Sequence, residues 1–377
     1  VLRFIADISN FLILKVVCKF NAMKIYLISL LTLLLALNNT QLWSQTDKEL
    51  AEAADLFHRK HFTIDTHNDT ALHLNNPNRG HSVTKGQVTF PMMREGGLDA
   101  AFFAIFIGQG PRSDEGHKSA KENAEGELVN FLKYVSLQDN VRVAHSADDL
   151  LLNKSQGYLS VVPALENGYP LGKDLGLLNH FYNLGVRAIT LCHNKNNEIC
   201  DASMDTTSEH GGLSGFGESV VKEMNKMGIA IDVSHASVET LKDVLALSTK
   251  PVIATHSGVW SIKHHNRNLR DEEIAAIAEK GGLIQIATGR FFLSDRPKEE
   301  VTVKDIADHI DYAVKIAGIE HVGIGTDFDG GGGVVGLENV SKMKNITIEL
   351  MRRGYTEYQL SRFWGENLLD FLRKIQK

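Results

Sequence analysis

Proline is scarce in this chain, with 7 among 377 residues, and no low-complexity tract is present, so long disordered stretches are not expected. Positive charge is also in short supply. Lysine and arginine number 40 against 46 acidic residues, and no basic stripe stands out, which argues against a nucleic-acid partner. There is no Gly-Lys-Thr phosphate loop, and no Gly-rich turn follows the first expected strand. A Ser-centred nucleophile elbow is missing as well. Cysteine is limited to three. Cys18 lies in an N-terminal segment set apart below. Cys192 and Cys200 stand as either free thiols or a bridge, because spacing alone establishes neither.

What is there is ordinary globular material, 43% hydrophobic and 23% charged. The first 45 residues read differently. Met23-Lys24 opens a short basic region, Ile25 to Leu37 is apolar and uncharged, and Ser44-Gln45 offers a cleavage point. That is the layout of a secretory signal peptide over residues 23–45. The run is short for a membrane span, which needs about 20 residues; an uncleaved N-terminal anchor is the alternative. Residues 1–22, which begin with Val, read as an upstream extension of the reading frame. Residues 46–377 are then the exported domain, periplasmic or extracellular. Without the first 45 residues, which hold four basic side chains and only Asp7, the balance is more acidic than the whole chain's −6.

From there one theme repeats. A short apolar run ends in a polar cluster, and an amphipathic stretch follows. The expected strands are Phe62–Ile64, Ala100–Ile107, Leu159–Leu165, Val186–Leu191, Ile229–Val233, Val252–Ala254, Leu283–Ala287 and Val322–Gly325. Continuous apolar strands suit a parallel sheet buried on both faces. Helices are expected over Ser219–Met227, Ser237–Leu247, Asp271–Lys280, Thr302–Ala317, Asn339–Arg353 and Glu357–Lys374, with Ser237 and Thr356 as caps. Alternating strands and helices predict a single α/β domain, a TIM-type (β/α)8 barrel, with a doubly wound open sheet as the alternative.

In such a barrel, chemistry gathers where strands end. Strand one ends in Asp65-Thr66-His67-Asn68-Asp69, strand three in Glu166-Asn167-Gly168, strand four in Cys192-His193-Asn194, strand five in Asp232-Val233-Ser234-His235, strand six in Thr255-His256-Ser257, and strand eight in Gly325-Thr326-Asp327. His67 and Asp69, two apart, point the same way in extended chain and can grip one ion. His235 and His256 can grip a second, and Glu166 between them can bridge both. One histidine at a strand end is more often a hydrogen-bonded structural residue. Five such donors at four tips favour metal. The N/O set suits zinc, with manganese or iron as alternatives. His264, His265 and His321 read as solvated.

The order of these motifs resembles the membrane (renal) dipeptidase family: His-Asn-Asp, Ala-Leu-Glu-Asn-Gly, Asp-Val-Ser-His-Ala-Ser, Thr-His-Ser, Arg-Asn and Gly-Thr-Asp-Phe-Asp-Gly, from about Phe62 to Leu369. The resemblance implies a dipeptidase with two Zn2+ per subunit, held by His67, Asp69, Glu166, His235 and His256, in a homodimer acting on dipeptides with free termini. It implies that His193 contacts substrate and helps hold the carbonyl oxygen, that Arg267 takes the substrate carboxylate, and that Asp327 handles protons beside the scissile bond. The chemistry is reasonable on its own terms. Zinc lowers the pKa of bound water to about 7, so a bridging hydroxide can attack the peptide carbonyl. A guanidinium fork holds a carboxylate by two parallel bonds.

The sequence departs from the family around Lys263 to Asn266 and in the glycine run Gly330 to Gly333, and no hydrophobic tail suggests an animal-type lipid anchor. Two rivals remain. An amidohydrolase-type metal hydrolase would usually open with His-x-His and often uses a carbamylated lysine, and neither is evident here. A non-catalytic binding protein on the same barrel would be expected to lose a ligand, and all five are present.

Overall fold

The strands that are apolar on both faces do form a buried parallel sheet. The computed structural model describes residues 46–73 and 86–377. Its strands are β1 (Ile64–Asn68), β2 (Ala100–Phe106), β3 (Val141–Val143), β4 (Leu159–Glu166), β5 (Ala188–Thr190), β6 (Ala230–Asp232), β7 (Ile253–Ser257), β8 (Leu283–Ile286) and β9 (Val322–Ile324). Helices run between and around them: α1 (Asp47–Lys60), α2 (Phe90–Gly96), α3 (Asp114–Ser136), α4 (Ala147–Ser155), α5 (Gly176–Asn183), α6 (Gly215–Met227), α7 (Val238–Leu247), α8 (Asp271–Glu279), α9 (Arg290–Leu293), α10 (Val303–Ala317), α11 (Lys344–Arg352), α12 (Glu357–Ser361) and α13 (Asn367–Ile375). The sheet order is β1-β2-β4-β5-β6-β7-β8-β9, with β3 paired to β4 off the ring. Past β9 the chain returns to β1: Asp327 N donates to His67 O at 3.0 Å, and Asp69 N donates to Phe328 O at 2.8 Å. The result is a nearly closed (β/α)8 barrel.

Alternation along β2 shows how the core divides. Ala101, Phe103 and Ile105 pack with Leu128 and Phe131 of α3, while Ala100 and Phe102 join Ile64, Val162, Ala188, Ala230, Ile253 and Leu283. The second group also takes Leu368, Leu369, Phe371, Leu372 and Ile375, the apolar stripe of α13. Residues 53–377 form one compact unit; of a second, residues 1–52, only 46–52 are described. The segments 1–22 and 23–45 lie outside the described residues. Among the described residues, no helix is long and apolar enough to cross a membrane.

Several expectations shift. Strand one runs Ile64–Asn68 rather than Phe62–Ile64, and β7 extends to Ser257. Their polar ends are buried because side chains of neighbouring strands satisfy them, which an apolar-run criterion does not see. β3, a Val-Arg-Val segment with Arg142 exposed, was not expected. The last helix is broken by a π turn over Arg362–Glu366, where Gly365 presses so close to the Phe62 carbonyl that a Cβ would overlap it. The helix expected over Asn339–Arg353 splits into a 3-10 turn at Val340–Lys342 and α11. Both foreseen caps are in place: Ser237 accepts from Thr240 N, and Thr356 from Gln359 N.

Candidate metal centre

Each candidate donor is set at the C-terminal end of its strand by a local device. The parallel register of β1 with β2 is irregular between Asp65 and Asn68, and that of β7 with β8 between Ala254 and Ser257. Those breaks contain His67 and His256. Such irregularities re-aim side chains, often beside active sites. His235 sits at φ 68°, Asp327 at φ 60°, and Asn167, just after Glu166, at φ 78°. Left-handed backbone at non-glycine residues is uncommon and concentrates where function fixes it. Gly330 completes the floor, because a Cβ there would overlap the Asp69 and Asp327 carboxylates.

The result is one cluster. Glu166 Oε1 lies 3.3 Å from His235 Nε2, 3.7 Å from His256 Nε2 and 3.8 Å from His193 Nε2, while its Oε2 lies 3.6 Å from His67 Nε2. His67 Nε2 is also 3.4 Å from Asp69 Oδ2. Three groups of donor atoms are each close enough to share an ion: His67, Glu166 and His256; Glu166, His193 and His235; and His67, Asp69 and Asp327. Glu166 and His67 each belong to two of them.

The hydrogen-bond network decides what these atoms want. Thr255 Oγ1 donates to Asp232 Oδ2 at 2.6 Å, so its one proton is committed. The contact of 2.9 Å between Thr255 Oγ1 and His256 Nδ1 is therefore a donation by the ring. His235 Nδ1 likewise donates to Asn194 Oδ1 at 2.9 Å. Both rings then present bare Nε2 lone pairs, and these lie 3.0 Å apart beside a carboxylate. Two lone pairs and an anion in a buried cluster repel unless a positive charge sits among them. His67 Nε2 is buried without a hydrogen-bond partner. The donor set fits divalent metal.

The family model described as membrane dipeptidase (peptidase family M19) matches residues 50–377. The chain belongs to the membrane dipeptidase family. "Dipeptidase aclJ" of Aspergillus oryzae is 31% identical over 327 residues, covering 83% of this chain and 78% of that one. "Dipeptidase tcpJ" of Claviceps purpurea is 30% identical over 297 residues, covering 77% and 70%. The crystal structure of the probable dipeptidase PvdM from Pseudomonas aeruginosa matches at a TM-score of 0.81 and 27% identity, covering 87% of this chain and 99% of that one. The protein is accordingly a dipeptidase of a metallopeptidase family.

In this dipeptidase the cluster forms the floor of a cavity of about 440 Å³, with Arg267 and Asp327 among its lining residues. Arg267 is buried and donates to the His256 carbonyl at 3.2 Å. Burial pushes its guanidinium down, against Asp327 and Glu166, which hold it up. Burial, reinforced by Asp69, raises Asp327 to about 7 and Glu166 well above the usual carboxylate range. Burial and then Arg267 lower His193 to about 4, and burial with neighbouring cations lowers His235 and His256 as well. For His67 burial works in the same direction, but Glu166 and Asp69 win and raise it to about 10. The metal-free cluster therefore favours protons on His67, Glu166 and Asp327 and leaves His193, His235 and His256 neutral.

All eight residues expected from the sequence meet here. The supporting carboxylates were missed. Asp232 accepts from Thr190 Oγ1 and Thr255 Oγ1, each at 2.6 Å, and from the backbone of Ser234 and Thr255. Asp65 accepts from Thr326 Oγ1 at 2.6 Å and Thr326 N at 2.8 Å, tying β1 to the segment after β9. Each stands two or three residues ahead of a candidate histidine, the signal that was available. Asn194, beside His193, was also given no role. His265, expected in solvent, lines the cavity, and its Nδ1 accepts from Arg267 N at 3.1 Å. Cys192 and Cys200 are both free and buried.

Proposed function

We propose that the protein is a binuclear zinc dipeptidase that hydrolyses dipeptides with both termini free. The observation that carries this reading is the placement of one carboxylate, Glu166, between imidazoles on either side, with the His235 and His256 lone pairs 3.0 Å apart. His67 and Asp69 would hold one ion, His235 and His256 the other, and Glu166 both. All five are side chains that zinc accepts. Metal held there would supply Lewis-acid polarisation of the scissile carbonyl and a bound water acidified to a pKa of about 7.

The chain's own residues do the rest. Arg267 offers a guanidinium to the C-terminal carboxylate, which restricts substrates to short peptides. His193, kept neutral by burial and by Arg267, can donate a hydrogen bond to the carbonyl oxygen and stabilise the charge that develops on it. Asp327, a buried carboxyl at the edge of the cluster, can take up a proton and deliver it to the leaving amine. An amidohydrolase-type site with a carbamylated lysine is disfavoured, since no lysine is among the described residues lining the cavity.

Export, with residues 23–45 as signal and 46–377 as catalytic domain, belongs to the same proposal, as does a homodimer. Purified protein tests the activity. Ala-Ala hydrolysis should vanish with chelator and return with zinc. Protein that holds no metal and cleaves no dipeptide would end the proposal.

A further inference from the structure

The cavity wall beside Arg267 is apolar, and part of it stands in water. Phe291 is 57% exposed and Met204 38% exposed, and both line the cavity together with Phe292. Phe292 is fixed in place. Its ring centre lies 5.6 Å from the Arg267 guanidinium carbon, the His265 ring meets it edge-on at 5.1 Å, and its carbonyl accepts from Asn268 Nδ2 at 2.8 Å. Phe291 is next to it on α9, with Arg290 stacked on one face at 3.8 Å. Large apolar side chains left in water at the mouth of a polar site mark a surface that a ligand covers.

This inference rests on the reading above, in which Arg267 holds the C-terminal carboxylate. That carboxylate and the side chain of its residue share one Cα. With the carboxylate on Arg267 and the scissile carbonyl over Glu166, the side chain emerges on the Arg267 side of the cavity, where Phe292 lies against Arg267 and Phe291 and Met204 line the same cavity. The remaining lining residues Leu72, Asp329 and Gly330 are left to the N-terminal residue. We propose that Phe291, Phe292 and Met204 form the subsite for the second residue's side chain, and that the enzyme prefers dipeptides with a large apolar residue there over a small one.

The test compares kcat/KM for Ala-Ala, Ala-Leu, Ala-Phe and Phe-Ala in the zinc-loaded enzyme. Ala-Phe should exceed Ala-Ala by about 10-fold or more, as hydrophobic pockets of this kind discriminate. Phe291→Ala should bring the Ala-Phe to Ala-Ala ratio toward one, and Phe291→Leu should keep most of it. Val129→Ala, at an exposed position on α3 outside the cavity, should leave the ratio as it is. Wild-type enzyme that cleaves Ala-Ala with no gain from Ala-Phe sinks the subsite and spares the dipeptidase reading. So does a Phe291→Ala variant that loses Phe-Ala instead, or that changes subunit number with the ratio intact. Turnover of no dipeptide overturns both.

Discussion

Replacing Glu166 with glutamine removes the one negative charge that faces imidazoles on both sides of the centre. Its Oε1 serves His235, His256 and His193, and its Oε2 serves His67, all at 3.3 to 3.8 Å. A charge-assisted contact is worth roughly 1.5–3 kcal/mol. At about 1.4 kcal/mol per decade, each ion should bind ~10- to 100-fold more weakly. The fold should not suffer with it. Burial and Asp69 already hold the Glu166 carboxyl well above its usual range, so the metal-free protein disfavours the charged form and a neutral amide of the same shape costs it little. The melting temperature of metal-free protein should stay within about 3 °C of wild type, near 1 kcal/mol for a domain this size. The assay is metal content by atomic emission after dialysis against graded chelator, with circular dichroism on the same samples. Loss of one equivalent while the other binds normally would refute the shared role.

Other consequences follow from the same geometry. Gly330→Ala forces a Cβ into the Asp69 and Asp327 carboxylates and should destabilise by about 1–3 kcal/mol, read by thermal unfolding, with weaker metal binding. Arg267→Ala should raise KM and leave metal content intact, and lysine there should restore little, since the fork is lost; unchanged kinetics would remove Arg267 from the site. Metal affinity should rise as pH climbs toward about 10, with proton release seen by calorimetry in buffers of different ionisation enthalpy, because His67, raised to about 10, and Glu166 must deprotonate to act as ligands. For the metal-free protein the sign reverses. Asp327 is raised from 3.8 to about 7, so the folded state binds more protons, and its contribution to stability should fall across that window. Melting curves of wild type against Asp327→Asn should show that fall, and parallel curves would contradict it.

Much of this was legible in the sequence because the barrel confines chemistry to strand tips. The apolar runs located the ring strands, and polar residues just after them supplied seven of the eight expected site residues, while Arg267 came from the family resemblance. What stayed hidden has physical causes. β1 and β7 extend through Thr66, His67, Thr255 and His256, whose polarity hides a strand until Asp65 and Asp232 are seen satisfying the backbone around them. Asp65 and Asp232 carried no role in one dimension, since their partners Thr326 and Thr255 lie far along the chain, on the segment after β9 and on β7. His265 looked solvated beside His264 and Lys263, and only the return of its loop over the cavity puts it against Phe292.

Anomalous diffraction at the zinc edge from crystals of zinc-loaded protein tests the central claim most directly. Two peaks are predicted, one against His67 and Asp69 and one against His235 and His256, with Glu166 reaching both. A single peak, or a pair that Glu166 does not join, would contradict it.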